Sequence, residues 1–423
     1  MVIRIFNNNN LQLNKEILFL FSLYVSLIIG FVFGENSTGG AILDYENQRK
    51  ISASFLLDFE TTFYNYDNLT TRHSPVLIIF LFFLENLISN DIFIRLIHLH
   101  LCIFLPYIFF KTLSIKFSNT NKNILVLLTG LIFLSPTFRS LSIWPDSRIL
   151  GLTVFLISIF YFVKFEIKLN LKYAILNVIT CALSAYLSPN FSVFALYFLF
   201  KFIKTFGLTS SKVFLICVLN LILALPAFYY IFILDINFFN KSAAINIDQN
   251  DKIFFNNIFN DILITFSIIF FYLIPFIIEK FIKIENFFHL KNIIYTLILF
   301  VFSVFFFDYK YEYSGGGIIF KFSNYFFNNN LIFFSFSLIS ILILLPMVKD
   351  NKENLFLLFL IFLNNPQYTI YHKYFDPFLI IIFFSLFNFK ISLQEKKIKN
   401  FIFIYLYFLI FLIISNLKFI WMI

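Results

Sequence analysis

The chain has 423 residues, of which 60% are hydrophobic and 13% charged, against roughly 25% charged in an ordinary soluble domain. With a mean hydropathy of +0.87, this excludes a soluble globular enzyme and predicts an all-α polytopic membrane protein, a single transmembrane domain over residues 1–423. The formal charge of +9 is scattered through short loops, so it gives no nucleic-acid footprint and leaves membrane lipid as the expected surroundings.

The 69 Phe rise together with Ile, Asn and Lys, as an AT-rich coding sequence would produce, so their number alone marks no functional surface. Cys102, Cys181 and Cys217 lie in separate apolar runs without paired spacing, which supports neither a disulfide framework nor a metal site.

In chain order, a short polar leader with Arg4 and Lys15 precedes an apolar run from Ile17 to Phe33. No small-residue cleavage site follows it, so a retained signal anchor is expected. Residues 35–91 then form a first extracytoplasmic loop. Its stretch from Glu35 to Pro75 holds Glu35, Asp44, Glu46, Asp58, Glu60 and Asp67, accompanied by Arg49, Lys50, Arg72 and His73. Asp44 and Glu46 are two positions apart. On a helix their side chains diverge, and only an extended backbone sets them on one face, where the two could act together on a divalent cation. Either one of them works alone or the segment is extended. From Ile51 the spacing of Ile51, Phe55 and Phe59 predicts an amphipathic helix lying on the membrane. The apolar block after Pro75 covers only about 20 Å of a hydrocarbon core about 30 Å thick. It is expected to be a surface helix, with Ser74 as its cap and Pro75 in its first turn.

About thirteen spans are then expected, near 17–34, 92–110, 123–136, 149–163, 173–187, 191–206, 213–234, 257–278, 292–307, 331–348, 353–363, 377–389 and 400–420. With a cytoplasmic N-terminus this arrangement puts most Lys and Arg inside, as the positive-inside rule asks; adding 76–88 as a span reverses the bias. A fourteen-span arrangement with the N-terminus outside satisfies the charge rule too, but leaves Arg4 and Lys15 outside and asks the short block to cross. Most of the 23 Asp and Glu fall on the outer side, and few charges lie near the middle of any span. Proton-coupled pumps and midplane transporters place ionisable residues or broken helices there, and no half of this chain repeats the other.

Two further outer clusters follow. Ser135 to Arg148 contains Arg139, Asp146 and Arg148; guanidinium groups grip phosphate bidentately, although interfacial arginines also simply contact headgroups. Asn364 to Pro377 contains His372, Lys373 and Tyr374; its Tyr residues fit an interfacial belt, and His372 with Lys373 fits a site. His98 and His100 cannot share a ligand on one helix, so packing or pore lining is their expected role. Gly315 to Gly317 forms an outer loop without the Lys and Ser or Thr of a P-loop.

One N-terminal span, a long acidic outer loop with an early carboxylate, a surface helix opened by His73, Ser74 and Pro75, and about a dozen later spans resemble the GT-C superfamily of polyprenyl-phosphate-sugar glycosyltransferases. Protein O-mannosyltransferases and lipid A aminoarabinose transferases are familiar members. The His73-Ser74-Pro75 tripeptide is similar to that family's H/K-P-P element. Ser135 and Pro136 with Arg139 and Asp146 resemble its third-span ending and Asp-bearing loop, and Lys373, Tyr374 and Pro377 its R/H-Y-x-x-P element. The chain departs from the pattern in having Asp44-x-Glu46 for an adjacent Asp-Glu pair, and Lys373 where Arg or His is common.

The resemblance implies transfer of a sugar from a polyprenyl-phosphate donor to an acceptor hydroxyl at the outer face of the membrane, and the AT-rich composition without an organelle signal favours a bacterial inner membrane. Asp44, or else Glu46, would be the general base of an inverting displacement. His73, Arg139, Asp146, Arg148, His372, Lys373 and Tyr374 would be the substrate-binding set, its cations offsetting charge on the departing phosphate. A transporter or polymerase of lipid-linked saccharides would also be polytopic, but with charge lining a central cavity and a large late loop. A membrane scaffold would need no acid cluster.

Overall fold

The structure, a computed structural model, describes residues 15–69, 74–88, 90–234, 258–283, 289–311, 315–365 and 369–420. These residues are helical throughout, apart from loops and one antiparallel bridge between Ile282 and Ile391. Abundant Asn serves the helix starts: Asn90, Asn121, Asn170 and Asn351 each accept a backbone N–H of the first turn, which satisfies donors that a helix leaves orphaned.

The first helix, α1 (Lys15–Val32), leads into α2 (Ala41–Leu57) and α3 (Phe59–Tyr64), separated by Asp58, whose carboxylate accepts from Thr61 N at 3.0 Å. The helix expected from Ile51 instead starts ten residues earlier, contains both Asp44 and Glu46, and stops at Leu57, so that Phe59 falls in α3 and the apolar spacing from Ile51 to Phe59 does not lie on one helix. Gly39 and Gly40 read as a loop, but the Asn36 side chain accepts from Ala41 N at 3.0 Å and starts the helix there. α4 (Pro75–Leu87) follows with Ser74 as its cap and Pro75 in its first turn, as expected; Ser74 Oγ also donates to the Tyr186 carbonyl.

α5 (Asp91–Cys102) and α6 (Phe104–Lys116) run nearly end to end. α7 (Lys122–Gly130) tightens to a 3-10 turn and bends by 64° at Ser135 into α8 (Pro136–Ile143). α9 (Ser147–Lys168), α10 (Leu171–Leu187), α11 (Phe194–Phe206) and α12 (Ser211–Phe228, ending in a π-turn to Ile233) come next. After them stand α13 (Ile258–Ile278), α14 (Leu290–Phe305), α15 (Gly317–Phe327), α16 (Leu331–Lys349), α17 (Lys352–Leu363), α18 (Phe378–Ser385) and α19 (Lys399–Ile420).

Among the described residues seven helical stretches are long and apolar enough to cross a membrane: α1, α5 with α6, α9, α12 with its π-turn, α13, α16 and α19. The count is eight if the bent α7–α8 pair forms one span. The chain is therefore a helical membrane protein. The runs expected to span near 191–206, 353–363 and 377–389 form α11, α17 and α18, of 13, 12 and 8 residues. Hydropathy registers apolar length whether or not the backbone stays α-helical: the 3-10 turn Pro189–Val193 takes the start of the first run and α18 stops at Ser385, while α17 fills its run but is only about 18 Å long.

Phe fills the interior. Phe155 stacks on Phe191 at 4.8 Å between centroids and meets Phe194, Phe198 and Phe378, joining α9, α11 and α18. One polar lock crosses the α9–α10 seam, where Asn177 Nδ2 donates to the Ser158 carbonyl and Oγ at 2.9 and 2.7 Å. In an apolar surround such a bond fixes register, because slipping it would bury unpaired amide groups.

Candidate functional site

The site is built where three segments far apart in sequence meet: the start of α2, the α7–α8–α9 turns, and residues 369–377. Asp376, 3% exposed, accepts from Ser135 Oγ at 2.6 Å and from Thr137 N at 3.0 Å. Ser135 also caps α8 by accepting from Phe138 N at 2.9 Å. The bend at Ser135–Pro136 is thus seated on Asp376. Burial pushes the Asp376 carboxyl up, and the Ser135 and Thr137 hydrogen bonds oppose that only in part.

From this anchor rises a single 3-10 turn, His372–Tyr374, closed by Phe375 N to the His372 carbonyl at 3.0 Å. Three residues per turn send three consecutive side chains about 120° apart. His372 turns into the bundle, sharing a 2.8 Å hydrogen bond between Nε2 and the Tyr272 hydroxyl and meeting Phe271 and Phe411 edge-on. Burial pushes its imidazole down to about 3, so it stays neutral at physiological pH and is not one of the cations, contrary to the sequence expectation. Lys373 turns the other way, and its Nζ lies 2.9 Å from Asp44 Oδ2. Tyr374 lies under the guanidinium of Arg148, 4.3 Å from Cζ to ring centroid.

α2 brings Asp44 to this turn because its ends are stitched down. Ser37 Oγ donates to the Pro136 carbonyl at 2.7 Å, and Tyr45 donates to Asp91 at 2.6 Å. Arg49 reaches Glu85 and Asp91 at 3.1 and 3.3 Å, holding α2 to α4 and α5. The helix separates the two early carboxylates by about 200°. Asp44 is half-buried on Lys373. Glu46 is exposed, on the rim of a 530 Å³ cleft shared with Arg49, Lys50, Glu85 and Asp91. The extended alternative is thereby removed, and a divalent cation bridging Asp44 and Glu46 does not fit. Among the described residues no group of three or more His, Cys, Asp or Glu side chains is gathered to hold a metal.

The two arginines take different places. Arg139 and Glu35, with side chains 7% and 9% exposed, form an ion pair at 2.6 Å; Nη1 and Nη2 of Arg139 also donate to Ser26 Oγ and the Ser26 carbonyl. That guanidinium is occupied inside the protein. Arg148 lies in the field of Asp146, Asp44 and Tyr374, and its buried Nη1 has no hydrogen-bond partner. Asp146 is buried and caps α9, accepting from Arg148 N at 2.7 Å. His73 lies outside the described residues.

Comparison with family models, curated proteins and solved structures finds no match.

The arrangement brings together a carboxylate, Asp44, and two cations, Lys373 and Arg148, each cation also placed over a Tyr ring. Chemically it can accept a proton beside a bound anion. Sequence reading missed Gln48, one turn on from Asp44, fully buried with both amide atoms unpaired, and Tyr272, which shares a hydrogen bond with His372. A polar residue at an otherwise apolar position of α2 was the available signal for Gln48; Tyr272, in a run of Phe and Ile, gave none. His98 and His100 separate as expected: His98 is buried against the Ser142 carbonyl at 3.1 Å, while His100 is exposed beside Tyr24.

Proposed function

We propose that the chain is a membrane glycosyltransferase of the GT-C kind that uses a polyprenyl-phosphate sugar. The observation that carries the reading is the Asp44–Lys373 ion pair beside Arg148, assembled from three separate segments at a partly exposed place. The donor phosphate would draw Lys373 and Arg148 to itself and release Asp44 from its counter-charge. The acceptor oxygen then attacks the anomeric carbon. The bond from that carbon to the phosphate oxygen breaks with its electron pair leaving on the phosphate, and the hydroxyl proton passes to Asp44. Asp376, Ser135 and Tyr272 position the turn that carries Lys373.

The test is transfer of radiolabelled sugar by the purified protein from a panel of polyprenyl-phosphate sugars. Lys373→Met is expected to lower kcat/KM by about 10²-fold, the usual effect of deleting one group aimed at developing charge. A wild type that binds or moves lipid-linked sugar without cleaving its phosphate bond would favour the transporter reading instead.

We further propose thirteen crossings with the N-terminus in the cytoplasm of a bacterial inner membrane, the shorter helices crossing in series with their 3-10 and loop extensions. Contacts between loops and the ends of spans support the alternation. Glu35 meets Arg139, Asp44 meets Lys373, Ser74 meets Tyr186 and Asn190 meets Asn364, all assigned outside; Lys201 and Lys204 meet Glu353, and Lys116 meets the Ser385 carbonyl, all assigned inside. In a background with its three cysteines replaced, Asn328→Cys should react with a membrane-impermeant maleimide in intact cells and Asn170→Cys only after lysis. Labelling of both before lysis would break the alternation.

A further inference from the structure

α9 is a membrane-crossing helix that runs from Ser147, next to the candidate site, to Lys168. Its 22 residues cover about 33 Å, so its last turn lies at the opposite boundary, at the level of lipid headgroups. The turn into α10 is tight. Leu169 ends α9 in the left-handed region, φ 48°, and Asn170 starts α10 by accepting from Lys172 N at 2.9 Å. α10 folds back onto α9, and its Tyr173 meets two lysines. Lys164 Nζ lies 4.2 Å from the Phe160 centroid and 5.6 Å from that of Tyr173, and Lys168 Nζ lies 5.8 Å from the same Tyr173 ring.

Two ammonium groups thus converge on one ring, and no carboxylate answers them. Lys164 and Lys168 are four residues apart on a helix, where like charges repel. Glu166, between them in sequence, pairs with Lys201 at 2.8 Å, and Glu353 is taken by Lys201 and Lys204. Residues 147–206 are all described, and Lys164, Lys168 and Lys172 form no ion pair among the described residues. The Tyr173 hydroxyl likewise makes no hydrogen bond there. The ring faces attract both ammonium groups but leave their N–H donors unspent. Lys164 is half-buried one turn inside the end of the span. A charge at that depth without a protein partner finds its counter-charge in the headgroup layer, which supplies phosphate. Along the outward stripe of α10, exposed Lys172 is followed by exposed Ile179 and Leu183, an apolar track for the acyl chain of the same molecule. We propose that Lys164, Lys168 and Tyr173 bind the phosphate of an acidic phospholipid at the α9–α10 turn. The site is independent of the glycosyl-transfer reading.

The test uses the detergent-purified full chain. In native mass spectrometry the wild type should retain one phosphatidylglycerol in preference to phosphatidylcholine. Lys164→Gln with Lys168→Gln should weaken that binding by about tenfold or more, and Lys164→Arg with Lys168→Arg should keep it within about threefold. Lys111→Gln with Lys122→Gln, at exposed lysines flanking the α6–α7 turn, removes the same charge elsewhere and should leave it within about threefold. Added phosphatidylglycerol should raise the melting temperature of the wild type more than phosphatidylcholine does, and the double Gln variant should lose that difference. Should the double Gln variant fail to fold, Lys168→Glu alone, at an exposed position, carries the same expectation of about tenfold or more. Equal phosphatidylglycerol binding by wild type and the Gln or Glu variant, an equal loss in the α6–α7 control, or no preference for phosphatidylglycerol over phosphatidylcholine would each overturn the proposal.

Discussion

Asp44→Asn is expected to lower the rate of sugar transfer by about 10²–10⁴-fold, the usual contribution of a positioned general base, and to leave donor binding within about threefold of wild type. Asparagine keeps the shape of the side chain and still accepts a hydrogen bond from Lys373, but it cannot take a proton from an attacking hydroxyl. The variant is a clean one because the pair it breaks is partly solvated: the Lys373 and Asp44 side chains are 17% and 31% exposed. Ion pairs open to solvent contribute about 0–1 kcal/mol, so folding should survive their loss. Lys373, relieved of its carboxylate, should hold an incoming phosphate at least as well as before. Glu46→Gln is the matched control, since Glu46 lies on the opposite side of α2 beside Arg49 and Lys50, and it should transfer at close to the wild-type rate. Initial rates measured with saturating donor decide the matter. An Asp44→Asn protein within threefold of wild type removes Asp44 as the base, and a dead Glu46→Gln beside an active Asp44→Asn moves the assignment to Glu46.

Much of this site was legible as separate pieces. Ser74 and Pro75 announced α4, and the loops carrying Arg148 and Lys373 stood out because ionisable residues are scarce in an apolar chain. Their joining was not legible. Ser135 bonds Asp376 across 241 positions and Asp44 meets Lys373 across 329, and single-sequence patterns carry no term for contacts at such separation. The conformation of the acid pair stayed open in the sequence for a local reason. Two glycines precede Ala41, and the side chain that starts the helix, Asn36, lies five residues back, outside the usual capping position. The role of Arg139 was hidden in another way, because Glu35 was one acid among six and only the folded α1–α8 contact singles it out.

That contact yields the second large effect. Arg139→Met alone and Glu35→Gln alone should each destabilise the protein by about 3–5 kcal/mol, because removing one member of a buried pair strands the other charge. Gly30 shows how closely the pair is held: a Cβ there would sit 2.3 Å from Glu35 Oε2 and 2.9 Å from Arg139 Nη2. The double variant Glu35→Gln with Arg139→Met should recover most of the loss, since replacing both partners of a buried pair is often neutral. Thermal unfolding in detergent reads the stabilities, and the same preparations separate two roles for the arginine. If Arg139 only braces α8 against α1, the refolded double variant transfers sugar at nearly the wild-type rate. If it grips the donor phosphate, the double variant is folded and inactive, and the charge now assigned to Lys373 and Arg148 must be shared with it.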